Sequence, residues 1–135
     1  MNHRKIIVLD SWAIMAYFED EPAAEKIANM IADARDLGHR LLMSVVNIGE
    51  VWYAMARKHS ARDADDAIGE LRSIGIEFID VDSPTTQIAA RYKAMGGISY
   101  ADCFAAALAK HNKAPLLTGD REFEQLEKEI EIVWL

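Results

Sequence analysis

The sequence predicts an α/β fold, a three-layer α/β/α sandwich around a central, mostly parallel sheet of about five short strands. Three observations predict it. Short apolar runs alternate with helical periodicities along the whole chain. The runs Ile6-Ile7-Val8-Leu9, Leu41-Leu42-Met43 and Leu116-Leu117 are apolar at consecutive positions, as strands buried on both faces are. Apolar residues make up 51% of the 135, enough for a core without disulfide staples, and no linker, repeat or low-complexity stretch divides them. Residues 1–135 are therefore expected to form one domain.

The elements follow in order. A first strand covers about Lys5 to Leu9 and runs straight into Asp10. Ser11 to Phe18 reads as a helix that is apolar nearly all round. Asp20-Glu21-Pro22 reads as a restart, an acidic cap with proline at the first helical position. In the helix that follows, Ile27, Met30, Ile31 and Ala34 share one face, and Gly38 ends it. Arg40 to Met43 is a second strand, and Ser44 is placed to cap a helix from Val45 to Lys58. Ser60 to Asp63 has capping-box spacing for a helix with Ala64, Ala67, Ile68 and Leu71 inward, stopped by Gly75. Ile76 to Ile79 alternates like an edge strand. Ser83-Pro84 opens a helix carrying Ile88, Tyr92 and Met95 on one side, closed by Gly96-Gly97. Ser99 begins an alanine-rich helix to about His111. Pro115 to Thr118 is a strand with proline at its start. Gly119-Asp120 turns into a short polar helix, and Ile132 to Leu135 is the last strand.

Composition excludes several classes. The net charge of −7 argues against a protein that coats nucleic acid through a basic surface, though not against one that meets a phosphate through bound metal. No apolar run is long enough to span a bilayer, so no membrane role is expected. The basic opening Met1-Asn2-His3-Arg4-Lys5 is followed by only four apolar residues, which does not make a secretory signal. Cys103 is the one cysteine, so no internal disulfide forms and a reducing cytoplasm is the expected location. His3, His39, His59 and His111 fall near segment ends without zinc-site spacing. Walker, dinucleotide-binding glycine and Ser/His nucleophile motifs are absent.

In an open parallel sheet, ligands bind at the carboxyl ends of the strands. Four acids are expected there. Asp10 follows strand one. Glu50 lies in the second turn of the helix after strand two. Asp102 lies in the first turn of the alanine-rich helix. Asp120 follows strand four. Each has a structural alternative: Asp10 and Asp120 as helix caps, Asp102 as the fourth residue of a capping box, Glu50 as a solvated side chain. Four unrelated structural acids have no reason to share one rim. Crowded carboxylates raise one another's pKa, and a hard divalent cation such as Mg²⁺ or Mn²⁺ removes that repulsion. Such a site polarises a phosphodiester and activates water. Ser11, Asn47 and Thr118 are placed to orient the acids or metal-bound waters.

Leu9-Asp10-Ser11, Asn47-x-x-Glu50, Asp102-x-x-x-Ala106 and Leu117-Thr118-Gly119-Asp120-x-x-Phe123 resemble, in order and spacing, the motif series of PIN-domain nucleases. The resemblance covers essentially the whole chain, and the length is similar to that of the VapC-like toxins of toxin–antitoxin pairs. It implies that Asp10, Glu50, Asp102 and Asp120 are catalytic and hold Mg²⁺ or Mn²⁺. It implies cleavage of RNA to a 5′-phosphate and a 3′-hydroxyl, a small cognate antitoxin as partner, and a homodimer. The bulky Trp12 after Asp10-Ser11 departs from the pattern, either narrowing the site or facing the antitoxin.

Other features weigh less. Trp12, Met15, Tyr17, Phe18, Trp52 and Met55 are core residues, a groove for a partner helix or a self-association surface. Arg121 is the best single candidate for an RNA phosphate contact. Glu122, Glu124, Glu127, Glu129 and Glu131 read as a solvated acidic surface, and Cys103 as a small buried hydrophobe. The alternative from another class is a non-catalytic, Mg²⁺-binding receiver-like signalling module. It would use Asp80 or Asp82 after strand three as phosphoacceptor. A metal-dependent phosphatase ranks lower, because Asp10-Ser11-Trp12 lacks the usual pair of acids two residues apart.

Overall fold

The structure is a computed structural model, and it describes residues 4–135. Met1, Asn2 and His3 of the basic opening lie outside the described residues. Five strands form one sheet in the order β3-β2-β1-β4-β5. They are β1 (Ile6–Leu9), β2 (Arg40–Ser44), β3 (Ile76–Ile79), β4 (Leu116–Thr118) and β5 (Ile132–Trp134). Every pairing is parallel, so the expected "mostly parallel" sheet is wholly so among the described strands.

Side chains alternate across the sheet and feed two separate cores. Ile7, Leu9, Leu41, Met43 and Leu117 point into one; Val8, Leu42 and Leu116 point into the other. That division explains the uninterrupted apolar runs of the central strands, since both faces are covered. The first core is roofed by α1 (Ser11–Phe18), α2 (Ala24–Leu37), α3 (Val45–Lys58) and α4 (Ala61–Ser73). The second is roofed by α5 (Ser83–Met95), α6 (Tyr100–Asn112) and the 3-10 turn Arg121–Leu126. In α6 every residue from Cys103 to Ala109 is buried, and its alanines let the helix backbone lie close to the sheet and to α5.

The caps carry most of the local specification. Ser44 accepts from Val46 N–H, Ser60 from Asp63 N–H and Ser99 from Asp102 N–H, as their positions lead one to expect. Two local expectations are corrected, the start of α2 and the burial of Met95. Helix α2 starts at Ala24, two residues beyond Pro22, and has no side-chain cap. Asp20 instead takes a left-handed turn, with φ of 52°. Helix α5 opens at Ser83-Pro84 as expected, capped by Asp82, which forms a reciprocal capping box with Thr85. Tyr92 is buried as expected, but Met95 is 62% exposed, because the helix ends there into Gly96.

Candidate active site

The sheet order fixes where a site can form. The chain winds from β1 to β2 to β3 on one side, then returns to place β4 against the other side of β1. The crevice between the carboxyl ends of β1 and β4 is the topological switch point, where α/β proteins bind ligands. Asp10 and Asp120 follow those two strands, and the N-termini of α3 and α6 bring Glu50 and Asp102 to the same rim.

Asp10 is fully buried. It caps α1, accepting from Ala13 N–H at 2.9 Å, and its other oxygen accepts from the Thr118 hydroxyl at 2.5 Å. The same Thr118 oxygen accepts from Asp120 N–H at 3.0 Å. One hydroxyl therefore ties the ends of β1 and β4 together. Burial is the main reason that the Asp10 pKa is pushed up to about 7. The charges of Asp102 and Asp120 add to the rise, while the Thr118 and Ala13 hydrogen bonds oppose it.

Asp102 is buried in the first turn of α6. Its N–H donates to the Ser99 hydroxyl at 3.1 Å, but the return bond of a capping box is not formed. Burial first, and then the like charges of Asp120, Glu50 and Glu122, raise its pKa to about 6 against a lowering by Ser99. Asp120 caps the 3-10 turn, accepting from Glu122 N–H at 3.0 Å. Glu50 is half-buried, and one of its oxygens accepts from the Ser11 hydroxyl and the Asn47 amide, each at 3.0 Å. Asn47 spends its second amide hydrogen on the carbonyl of Ala101, joining α3 to the start of α6. Thus Ser11 and Asn47 orient Glu50, and Thr118 orients Asp10 and Asp120.

Among the described residues, the tightest acidic group is Asp102, Asp120 and Glu122, whose carboxylate oxygens lie within 4.8 Å of one another. Sequence reasoning assigned Glu122 to a solvated acidic surface. The structure places it at the site, because the 3-10 turn capped by Asp120 folds Glu122 back beside its own cap. The spacing Asp-x-Glu immediately after a strand was the available signal. Asp10 and Glu50 stand outside this closest group, but the charge of Glu50 acts on Asp102, and those of Asp102 and Asp120 act on Asp10.

The donor set suits a hard cation. All three members offer oxygen, no histidine or cysteine joins them, and a span of 4.8 Å is close to twice the ~2.0–2.6 Å metal–oxygen distances of Mg²⁺ and Ca²⁺. Arg121 is engaged by other residues. Its guanidinium lies 3.6 Å from Glu124 and over the Trp134 ring, 4.5 Å from the centroid. Cys103 is buried in the second core, as expected. Asp80 and Asp82 follow β3, which is an edge strand separated from β1 by β2. Asp82 is occupied in the α5 cap, where the Thr85 hydrogen bonds lower its pKa. Neither acid reaches the switch point, which weighs against a receiver-like module.

A wholly parallel α/β/α sandwich with a carboxylate group at its switch point is the class that fold and site define. Residues 7–129 match the model of the PIN domain, and the chain belongs to that family. No curated protein is similar enough in sequence to count as a match. Solved structures with the same fold include VapBC2 from Rickettsia felis bound to a DNA fragment from their promoter, with a TM-score of 0.75 and 15% identity over 96% of this chain and 98% of that one. DNA-bound VapBC from Salmonella typhimurium has a TM-score of 0.74 and 18% identity over 96% and 97% of the two chains. The sarcin-ricin loop cleaving toxin VapC20 from Mycobacterium tuberculosis has 0.70 and 16% over 88% and 93%. Likeness at these identities establishes the fold.

Proposed function

We propose that this PIN-domain protein is a metal-dependent endoribonuclease and the toxin of a toxin–antitoxin pair, acting in the cytoplasm. The observation that carries the reading is the convergence of Asp10, Glu50, Asp102 and Asp120, joined by Glu122, on the crevice between β1 and β4. Bare carboxylates at this density repel an anionic phosphodiester. A bound Mg²⁺ or Mn²⁺ supplies the missing positive charge and a water of lowered pKa. Asp102, Asp120 and Glu122 would hold the ion, with Asp10 and Glu50 completing the charge around it. Ser11, Asn47 and Thr118 fix the carboxylates by the hydrogen bonds described above, so the acids do not have to be ordered during the reaction. Hydrolysis adds water across the P–O3′ bond, leaving a 5′-phosphate and a 3′-hydroxyl.

The fold shared with VapBC complexes supports a small antitoxin as partner, and a homodimer fits the same reading. The fold shared with a sarcin-ricin loop cleaving toxin supports RNA as substrate. No described helix is long and apolar enough to cross a membrane.

The test is cleavage of cellular RNA by purified protein, with 5′-end mapping. Asp102→Asn and Asp10→Asn are expected to abolish cleavage and growth inhibition while the melting curve stays cooperative. Excess chelator is expected to do the same to the parent chain. Full cleavage in either variant, or in chelator, would overturn the reading.

A further inference from the structure

We propose that Trp12 is a stacking platform for an unpaired nucleobase of the substrate, and so a determinant of where the strand is held. This rests on the nuclease reading above. Trp12 stands at the second position of α1, two residues after Asp10, yet it does not join the core that buries Ala13, Ile14 and Ala16. It remains 37% exposed. What fixes it is Gly119. A Cβ built on Gly119 would fall 2.5 Å from Trp12 Cζ3 and 2.6 Å from Cζ2, and nearer still to Cη2. These three atoms are consecutive in the ring. A point almost equally close to all of them lies over the ring face, whereas a point beyond the edge would be much farther from the outer two. The indole therefore rests face-on against a backbone that only glycine leaves bare.

That backbone is part of the acid site. Gly119 lies between Thr118, which bonds Asp10, and Asp120. The remainder of Trp12 forms one wall of an open cleft of about 730 Å³, whose other walls include Met15, Pro22, Leu135, Lys26 and Lys58. The volume is within the ~300–1,000 Å³ usual for small-molecule sites. Glu19 and Glu21 also line the cleft; a Glu19 oxygen lies 3.5 Å from Lys58 and 3.4 Å from His59, and Lys26 donates to the Trp134 carbonyl at 3.2 Å. The cleft is thus an aromatic and aliphatic slot with two lysines and two glutamates at its margin, and Trp12 is the wall that joins it to the Gly119 backbone beside Asp120. A phosphodiester held at the acids would bring its neighbouring base toward Trp12, because the ring lies against the residue next to Asp120. Every base has a π-face, and stacking on an indole needs no particular hydrogen-bond pattern. The reaction then requires an unpaired nucleotide beside the scissile bond, because a base inside a duplex is already stacked.

Two measurements test this. Trp52→Phe and Trp134→Phe leave Trp12 as the sole tryptophan of the three. With Asp102→Asn added to stop turnover, single-stranded oligoribonucleotides are expected to quench its fluorescence, and the same strands in a duplex are not. In the active parent, replacing each nucleotide of a cleaved strand in turn by an abasic one is expected to raise KM at one position beside the cut. The rise is roughly 5- to 150-fold. Trp12→Ala is expected to raise KM similarly and to become indifferent to that abasic position, while Trp12→Phe retains most of the effect. Gly119→Ala, which tilts the ring without removing it, is expected to mimic Trp12→Ala, so the test survives if Trp12→Ala folds poorly. Absence of quenching, or unchanged KM and cut sites in Trp12→Ala, overturns the proposal and assigns Trp12 to protein contacts. Quenching by single strands in a chain that cleaves no RNA would instead refute the nuclease reading and leave stacking intact.

Discussion

Asp10 shows how a helix cap can be held where the proposed chemistry needs an acid. It caps α1 and accepts the Thr118 hydroxyl, and it is fully buried while doing so. Its pKa rises from 3.8 to about 7. The native state therefore holds a proton that the unfolded chain has already released, and the sign of the linkage follows. The associated stability is present below about pH 4 and is lost as pH rises through about 7. In metal-free protein the loss is about 4 kcal/mol. A thermal melt in chelator is expected to fall in midpoint between pH 5 and pH 8 by several degrees. Asp10→Asn is expected to reduce that slope, leaving the part that Asp102 contributes below about pH 6, and to melt higher than the parent at pH 8. Added Mg²⁺ is expected to raise the parent's midpoint and to do less for the variant, since only the parent offers the charge. A parent chain whose metal-free stability is unchanged across this range would show that Asp10 is ionised throughout. Much of this residue was legible in the sequence, because an acid at the tip of a buried strand demands compensation. Glu122 was not, because in sequence it is one acid among five in a polar run, and only the tight 3-10 turn selects it.

At the scale of elements, capping decides whether a helix delivers its acid. Ser99 fixes the first turn of α6 through Asp102 N–H, and Asp102 sits on that turn. Ser60 does the same for α4, on which no acid of the site lies. Ser99→Ala and Ser60→Ala are both expected to cost about 1 kcal/mol in a denaturant titration. Only Ser99→Ala is expected to slow cleavage, by roughly tenfold or more, because a small displacement of a reacting group is expensive. Equal cleavage in the two variants would mean that α6 is held in place without its cap. The strands and most caps were readable because burial on both faces and hydroxyl-before-helix are local signals. The start of α2 was misread because Asp20-Glu21-Pro22 carries the residues of a cap while the backbone there makes a left-handed turn. Met95 was misread because periodicity continues in the sequence to the last residue before Gly96, whereas the core does not.

For the whole molecule, charge and topology govern. A net charge of −7 leaves few cations for RNA, so the cation at the acids would carry the main electrostatic contact. At fixed Mg²⁺, the dependence of KM on monovalent salt is expected to be shallow, equivalent to about two phosphates or fewer. A steep slope would point to a basic surface that a dimer or partner completes. Topology was the least legible level. Hydrophobic patterns report that a strand is buried but not which strand lies beside it, and the switch point exists only because β4 pairs with β1. The bond from Thr118 to Asp10 closes that pairing across 108 residues of chain. Its consequence is one of timing. A polypeptide growing from the ribosome displays Asp10, Glu50 and Asp102 while the strand that assembles them is still unmade. The acids can meet only after β4 has been made. A chain that cuts RNA would then be inert until β4 has left the ribosome, and a fragment that stops short of β4 would carry three of the acids and none of the activity.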